Sequence, residues 1–155
     1  MTVTPKRLPI PRWTIRTIWA GHRTLVSLTG GRRGLRTPTA DTYGMLRLAT
    51  TGRTTGKPRA AILAYLEDGP SLVLMAMNGW AEPEPAWFLN LQANPDVDVV
   101  MRDRSGPMRA RVASREEKVA LWPQVVAAYG DYAVYQQRTE RDIPLVILEP
   151  AAAHA

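Results

Sequence analysis

The sequence predicts a mainly β domain with flanking helices, its strands closed into a small barrel. Three observations carry this. From residue 43 onward the apolar runs shorten to strand length, and there are six of them. Turn signals separate some of the runs: Asp68-Gly69 stands before one, and DRSG lies between two others. Only two stretches with helical character interrupt them. Six short strands with few helices are best accommodated by closure, because a closed sheet leaves no edge exposed.

The 155 residues suit one domain with a real hydrophobic core. Residues 1–37 are expected to form an N-terminal arm and amphipathic helix, 38–150 the barrel, and 151–155 a disordered tail, AAAHA. Residues 1–12 are proline-rich and basic, as a loose arm would be. The segment WTIRTIWAGHRTLVSLT, 13–29, reads as a helix with a broad apolar side broken by Arg16 and Arg23. Gly30 and Gly31 end it, and GGRRGLRT, 30–37, is a flexible basic link. Such a helix can pack over the barrel or lie on an anionic membrane, and both readings stand.

The expected strands are MLRLAT (45–50), AAILAYL (60–66), SLVLMAM (71–77), VDVVMR (97–102), PMRARVA (107–113) and IPLVIL (143–148). Between the third and fourth, PAWFLNLQANP (85–95) is a short turn or helix ended by Asn94-Pro95. Between the fifth and sixth, residues 114–130 form a better helix. Ser114 and Glu117 make a capping box, and Val119, Trp122, Val126 and Tyr129 share one face. Gly130 stops it, and Pro123 is its weak point.

Composition removes several chemistries. With no cysteine there is no disulfide, no thiolate nucleophile and no thiolate-held metal. The histidines are His22 and His154, so a zinc site or a Ser-His-Asp triad has too little to stand on, and no metal site is expected. Redox chemistry would require a bound cofactor to carry the electrons. The net charge of +6 favours an anionic partner: nucleic acid, membrane surface or phosphorylated cofactor. The N-terminal stretch MTVTPKRLPIPRW lacks the apolar core of a secretion signal, so a cytoplasmic location is expected, with membrane association left open.

Three segments gather the residues that could do chemistry. In TTGRTTGKPR, 50–59, Arg53, Lys57 and Arg59 crowd a glycine-rich loop. It is not a Walker-type phosphate loop, because three residues rather than four separate Gly52 from Gly56-Lys57 and a proline follows the lysine. It is either a solvated hairpin or a clamp for an oxyanion. In NGWAEPEPAWFLNLQANP, 78–95, Trp80 and Trp87 offer flat surfaces, and Asn90 stands polar inside an apolar run where something must satisfy it. Trp87, Leu89 and Leu91 can equally be core. In YGDYAVYQQRTERDIP, 129–144, Tyr129, Tyr132 and Tyr135 recur every third residue, as one phenolic wall or as packing on the barrel.

Taken in order, these segments resemble the deazaflavin (F420)-dependent nitroreductases, also called F420H2-dependent quinone reductases, from about Met45 to Pro150. The resemblance implies a six-stranded split β-barrel and coenzyme F420, whose tail carries a phosphate and glutamate carboxylates. Arg53, Lys57 and Arg59 would then surround that tail. Thr54 stands where members often carry a second basic residue. Trp87 and Asn90 match the tryptophan and asparagine beside the cofactor, and Tyr129, Tyr132 and Tyr135 the tyrosines over the substrate face of its ring. Where many members read Ser-Lys-Gly-Gly, this chain has Met77, Asn78, Gly79 and Trp80, which lack the serine and lysine of that polar pocket.

The activity implied is hydride transfer from reduced F420 to a quinone, nitroaromatic or similar electron-poor acceptor. Tyr132 would hydrogen-bond the acceptor oxygen while Tyr129 and Tyr135 shape the pocket. Two other readings compete. One is a barrel holding FMN or haem. The other is a non-catalytic barrel that binds single-stranded nucleic acid, although the aromatic residues cluster at helices and turns rather than along strands.

Overall fold

The computed structural model describes residues 34–78, 83–130, 134, 136–137 and 140–152. The expected N-terminal helix, Trp80, Tyr132 and Tyr135 lie outside these residues. Six strands form one closed antiparallel barrel: β1 Gly44–Thr51, β2 Pro58–Asp68, β3 Ser71–Met75, β4 Asp96–Val100, β5 Ser105–Val112 and β6 Leu145–Pro150. Around the barrel the order is β1-β2-β3-β6-β5-β4, with β1 and β4 closing the circle. Helix α1, Ala86–Ala93, lies between β3 and β4, and helix α2, Arg115–Ala128, between β5 and β6.

Several strand ends differ from the expected ones by one or two residues, and two of them have clear local reasons. β3 stops at Met75 because the chain turns there: the Met77 N–H donates to the Met75 carbonyl at 2.8 Å, and the Ala76 N–H to the Pro144 carbonyl at 3.0 Å. β6 begins at Leu145, directly after Pro144, which has no N–H to give a ladder, and it runs on to pair Pro150 with Met108.

Alternation along each strand builds two cores. Inside the barrel, Leu46, Leu48, Tyr65, Leu74, Val99 and Leu148 are buried, and α1 adds Trp87, Phe88 and Leu91 to the same cluster. Outside it, α2 packs on residues of β2, β3 and β6 around Leu66, Val73, Leu145 and Ile147. A small third cluster joins Leu35 and Ile62, and Arg36 bridges Met45, so the chain already lies on the barrel before residue 38.

The buried stripe of α2 departs from the expected one. Leu121, Val125 and Ala128 face the core, whereas Val119 is 68 % exposed and Trp122, Val126 and Tyr129 sit at the margin. Contacts from outside the helix fix its rotation. Arg111 of β5 binds the Glu117 carboxylate at 2.8 Å through both terminal nitrogens, and Lys118 reaches Asp142 and the Ile143 carbonyl. Pro123 is accommodated on the exposed side. It leaves the carbonyl of exposed Val119 without a helical partner, a group that water can reach.

Candidate cofactor site

The basic segment is the loop that joins β1 to β2. Thr51 pairs with Pro58, which leaves residues 52–57 to turn the chain. The Gly52 N–H donates to the Lys57 carbonyl and the Gly56 N–H to the Gly52 carbonyl, both at 2.8 Å. Gly56 takes φ +66°, the left-handed region in which glycine carries no steric penalty. The loop is therefore a tight, internally bonded turn that displays cations.

Helix α1 approaches this loop with its one buried polar side chain. Asn90 Oδ1 accepts from the Arg53 backbone N–H and from Arg53 Nη1, each at 3.2 Å. Asn90 Nδ2 donates to Thr50 Oγ1 at 3.3 Å. Thr50 and Asn90 are each 5 % exposed, the buried polar pair of the described residues. Leu46 and Leu48 point into the barrel, so Thr50, two residues further along β1, points inward too and meets Asn90. The buried asparagine anticipated in the sequence is thus satisfied by the basic loop and the strand leading into it.

Loop, strand and helix together enclose a cavity of about 420 Å3, within the usual range for ligand pockets. Arg53, Thr54, Arg59, Asn78, Trp87 and Asn90 all line it. Lys57 projects into solvent from the same loop and is not among the lining residues. Met77 does not reach the cavity either. It packs instead with the outer cluster under α2. Tyr129, at the end of α2, also packs with that outer cluster. It stacks on Tyr43 with ring centroids 4.5 Å apart and planes 6° apart, and the Arg36 guanidinium carbon lies 4.4 Å from the Tyr43 centroid.

Several lining residues had not been singled out: Thr50, Thr55, Ala60, Ala61 and Ala86. Alternation along β1 was the available signal for Thr50. The run Arg-Ala-Ala entering β2 was the signal for open space, since two small side chains beside a cation leave room at the start of a strand.

The cavity's chemistry suits an anionic, flat ligand. Among the described residues no Asp or Glu lines it, two guanidinium groups do, and the Trp87 ring supplies an apolar wall edge-on to Phe88 at 6.1 Å. A sequence profile described as F420H(2)-dependent quinone reductase matches residues 20–150. The chain belongs to the F420H(2)-dependent quinone reductase family.

An F420H(2)-dependent quinone reductase of Mycobacterium tuberculosis is 34% identical over 152 residues, covering 91% of this chain and 98% of the relative. Among solved structures, the F420-H2 dependent reductase FDR-A aligns with a TM-score of 0.62 and 36% identity over 68% of this chain and 93% of its own. A second solved structure, a domain-swapped dimer, aligns with a TM-score of 0.64 and 32% identity over 86% of this chain and 99% of its own. Membership makes the chain an oxidoreductase of split-barrel fold, with coenzyme F420 as its cofactor and quinones as its acceptors. The lining is chemically compatible with that cofactor: two guanidinium groups can pair with a phosphate or carboxylate, and Trp87 adds apolar surface to the wall.

Proposed function

We propose that this chain uses the cavity between the β1–β2 loop and α1 to hold F420 while a quinone or similar electron-poor acceptor, such as a nitroaromatic, is reduced. The observation that carries the assignment is the joint lining by Arg53, Arg59 and Trp87, with no carboxylate among the described lining residues. Bound reduced F420 supplies a hydride. Transfer of that hydride converts a quinone to the hydroquinone monoanion, and one proton taken up from solvent completes the hydroquinone.

The residues have separate tasks. Arg53 and Arg59 neutralise the anionic tail, and Lys57 adds long-range attraction from the rim of the loop. The Thr54 hydroxyl offers a neutral hydrogen bond where a cation is common in relatives. Trp87 and Asn78 border the ring, one by apolar contact and one by its amide. Tyr132 donates a hydrogen bond to the acceptor oxygen as it gains charge, and Tyr135 helps exclude water. Tyr129, through its stack on Tyr43, bears on the acceptor by holding the start of the segment that carries Tyr132. Residues 1–40 hold eight Lys and Arg with no Asp or Glu, which supports peripheral contact with an anionic membrane, where quinones reside.

The test is a fluorescence titration of oxidised F420 with the purified protein, run beside FMN. Saturable binding of F420 at micromolar concentration or tighter, with none of FMN, is expected. Binding of FMN alone would overturn the cofactor assignment. Tyr132→Phe should lower turnover more than F420 binding, and equal turnover would remove the role given to Tyr132.

A further inference from the structure

Arg53, Lys57 and Arg59 share one loop but are not held alike. The side chains of Lys57 and Arg59 make no hydrogen bond or ion pair among the described residues. Arg53 is gripped at two points, its backbone N–H and its Nη1, by the same oxygen of Asn90. Both of those groups can only donate, so the Asn90 carbonyl must face them and its NH2 must face Thr50 Oγ1. The chemistry of its neighbours fixes the amide's orientation.

We propose that Asn90 is a positioning residue that acts through Arg53, setting the guanidinium and the loop backbone before an anionic ligand arrives. The proposal rests on the reading of this cavity as the cofactor site and adds a preorganising device to it. An arginine free in solvent must give up rotamer freedom when it meets a phosphate or carboxylate, whereas one already held gives up less.

The residue type matters as much as the place. A leucine would match its neighbours Leu89 and Leu91 but leave the Arg53 N–H without its partner. An aspartate would hold Arg53 more tightly but cancel the charge the ligand needs. A neutral amide does both jobs: it holds the guanidinium and leaves its charge unspent. Thr50 completes the device by occupying the amide's donor end, so the group cannot flip and turn a donor toward a donor.

A double-mutant cycle on the full-length protein tests this, with oxidised F420 binding read by fluorescence. Asn90→Ala should weaken binding about tenfold in the wild-type background, the scale of one hydrogen bond to a charged group. It should change binding less than about twofold in the Arg53→Ala background. Equal losses in both backgrounds would overturn the proposal, because Asn90 would then act on the ligand directly or on the fold at large. Asn90→Asp should bind no better than Asn90→Ala; a gain would also overturn it. Thr50→Val keeps the side-chain shape and should show the same dependence on Arg53 at smaller size, so it serves in the cycle where Asn90→Ala does not fold.

Amide hydrogen exchange in the ligand-free protein separates the two levels of the argument. Either Thr50→Val or Asn90→Ala should speed exchange at the Arg53 N–H relative to the β1–β2 ladder, and unchanged exchange would refute positioning. A wild-type protein that fails to bind F420 would remove the cofactor reading, and the exchange result would then decide the positioning role alone.

Discussion

Gly44 and Tyr65 face each other across the β1–β2 ladder, and each explains the other. A Cβ on Gly44 would stand 2.4 Å from Tyr65 Cε1 and 2.9 Å from the Arg36 carbonyl oxygen, so the tyrosine ring occupies the space a side chain would take. Gly44→Ala should therefore destabilise the barrel by ~1–3 kcal/mol, read from the urea midpoint. Tyr65 is fully buried and its hydroxyl has no hydrogen-bond partner among the described residues. Burial first, and then the charges of Glu67 and Asp103, push its pKa up to about 12. Between the unfolded value near 10 and that value, the unfolded chain releases a proton that the folded chain keeps. Stability should thus be intact below about pH 10 and fall as pH rises toward 12. Tyr65→Phe should remove that slope and, at neutral pH, match or exceed the wild type within ~1 kcal/mol. A loss above ~2 kcal/mol would reveal a partner for the hydroxyl. None of this was legible in the sequence, where Gly44 stands at the start of a strand and Tyr65 is an ordinary strand aromatic. Asn90 differs: a polar residue inside an apolar run announces that it needs a partner, although the partners, Arg53 and Thr50, stand 37 and 40 positions away in the chain.

At the scale of the element, α2 divides what is local from what is not. Its capping box was readable because Ser114 and Glu117 are three residues apart and the motif is closed within one turn: Glu117 N–H donates to Ser114 Oγ at 3.2 Å, and Ser114 N–H to Glu117 Oε2 at 2.8 Å. Ser114→Ala should cost about 1 kcal/mol, measured by chemical denaturation. The buried face was not readable, since two neighbouring stripes are both apolar and contacts with β5 and residues 142–143 choose between them. Arg111 is central to that choice because it binds Glu117 in two places and Glu149 on β6 at 3.0 Å. The same guanidinium, followed by the Ser114 N–H, pulls the Glu117 carboxyl down from 4.5 to about 2. Because the folded value lies below the unfolded one, this contribution is present above about pH 4.5 and is lost as pH falls through about 2. Glu117→Gln should flatten the stability profile across that window. An unchanged acid slope in that variant would mean that other carboxylates govern acid unfolding.

For the molecule as a whole, closure explains why a fold class could be read from runs and turns alone. Six strands have few ways to hide their edges, and of the two described helices α1 joins the barrel's inner cluster and α2 the outer one. The distribution of charge adds what the fold does not determine. Residues 1–40 carry eight basic side chains and no acidic one, while residues 41–155 carry twelve basic against fourteen acidic. The excess of +6 belongs entirely to the N-terminal segment; the remainder of the chain is slightly acidic overall, and Arg53, Lys57 and Arg59 of the β1–β2 loop are three of its twelve basic residues. On the proposed function, attraction to a broad anionic surface and attraction to the cofactor tail would be carried by different residues, and should be separable. Replacing Arg16, Arg23, Arg32 and Arg33 with Gln in the full-length chain should abolish co-sedimentation with anionic lipid vesicles while leaving the affinity for F420 within about twofold, since each basic residue near such a surface contributes only ~1 kcal/mol and the field decays within a Debye length. Wild-type binding to those vesicles should fall steeply with added salt and be weak on neutral lipid. Vesicle binding that survives both the substitutions and high salt would place the membrane contact elsewhere on the chain. A parallel loss of F420 affinity would mean that the segment reaches the cavity and belongs to the site.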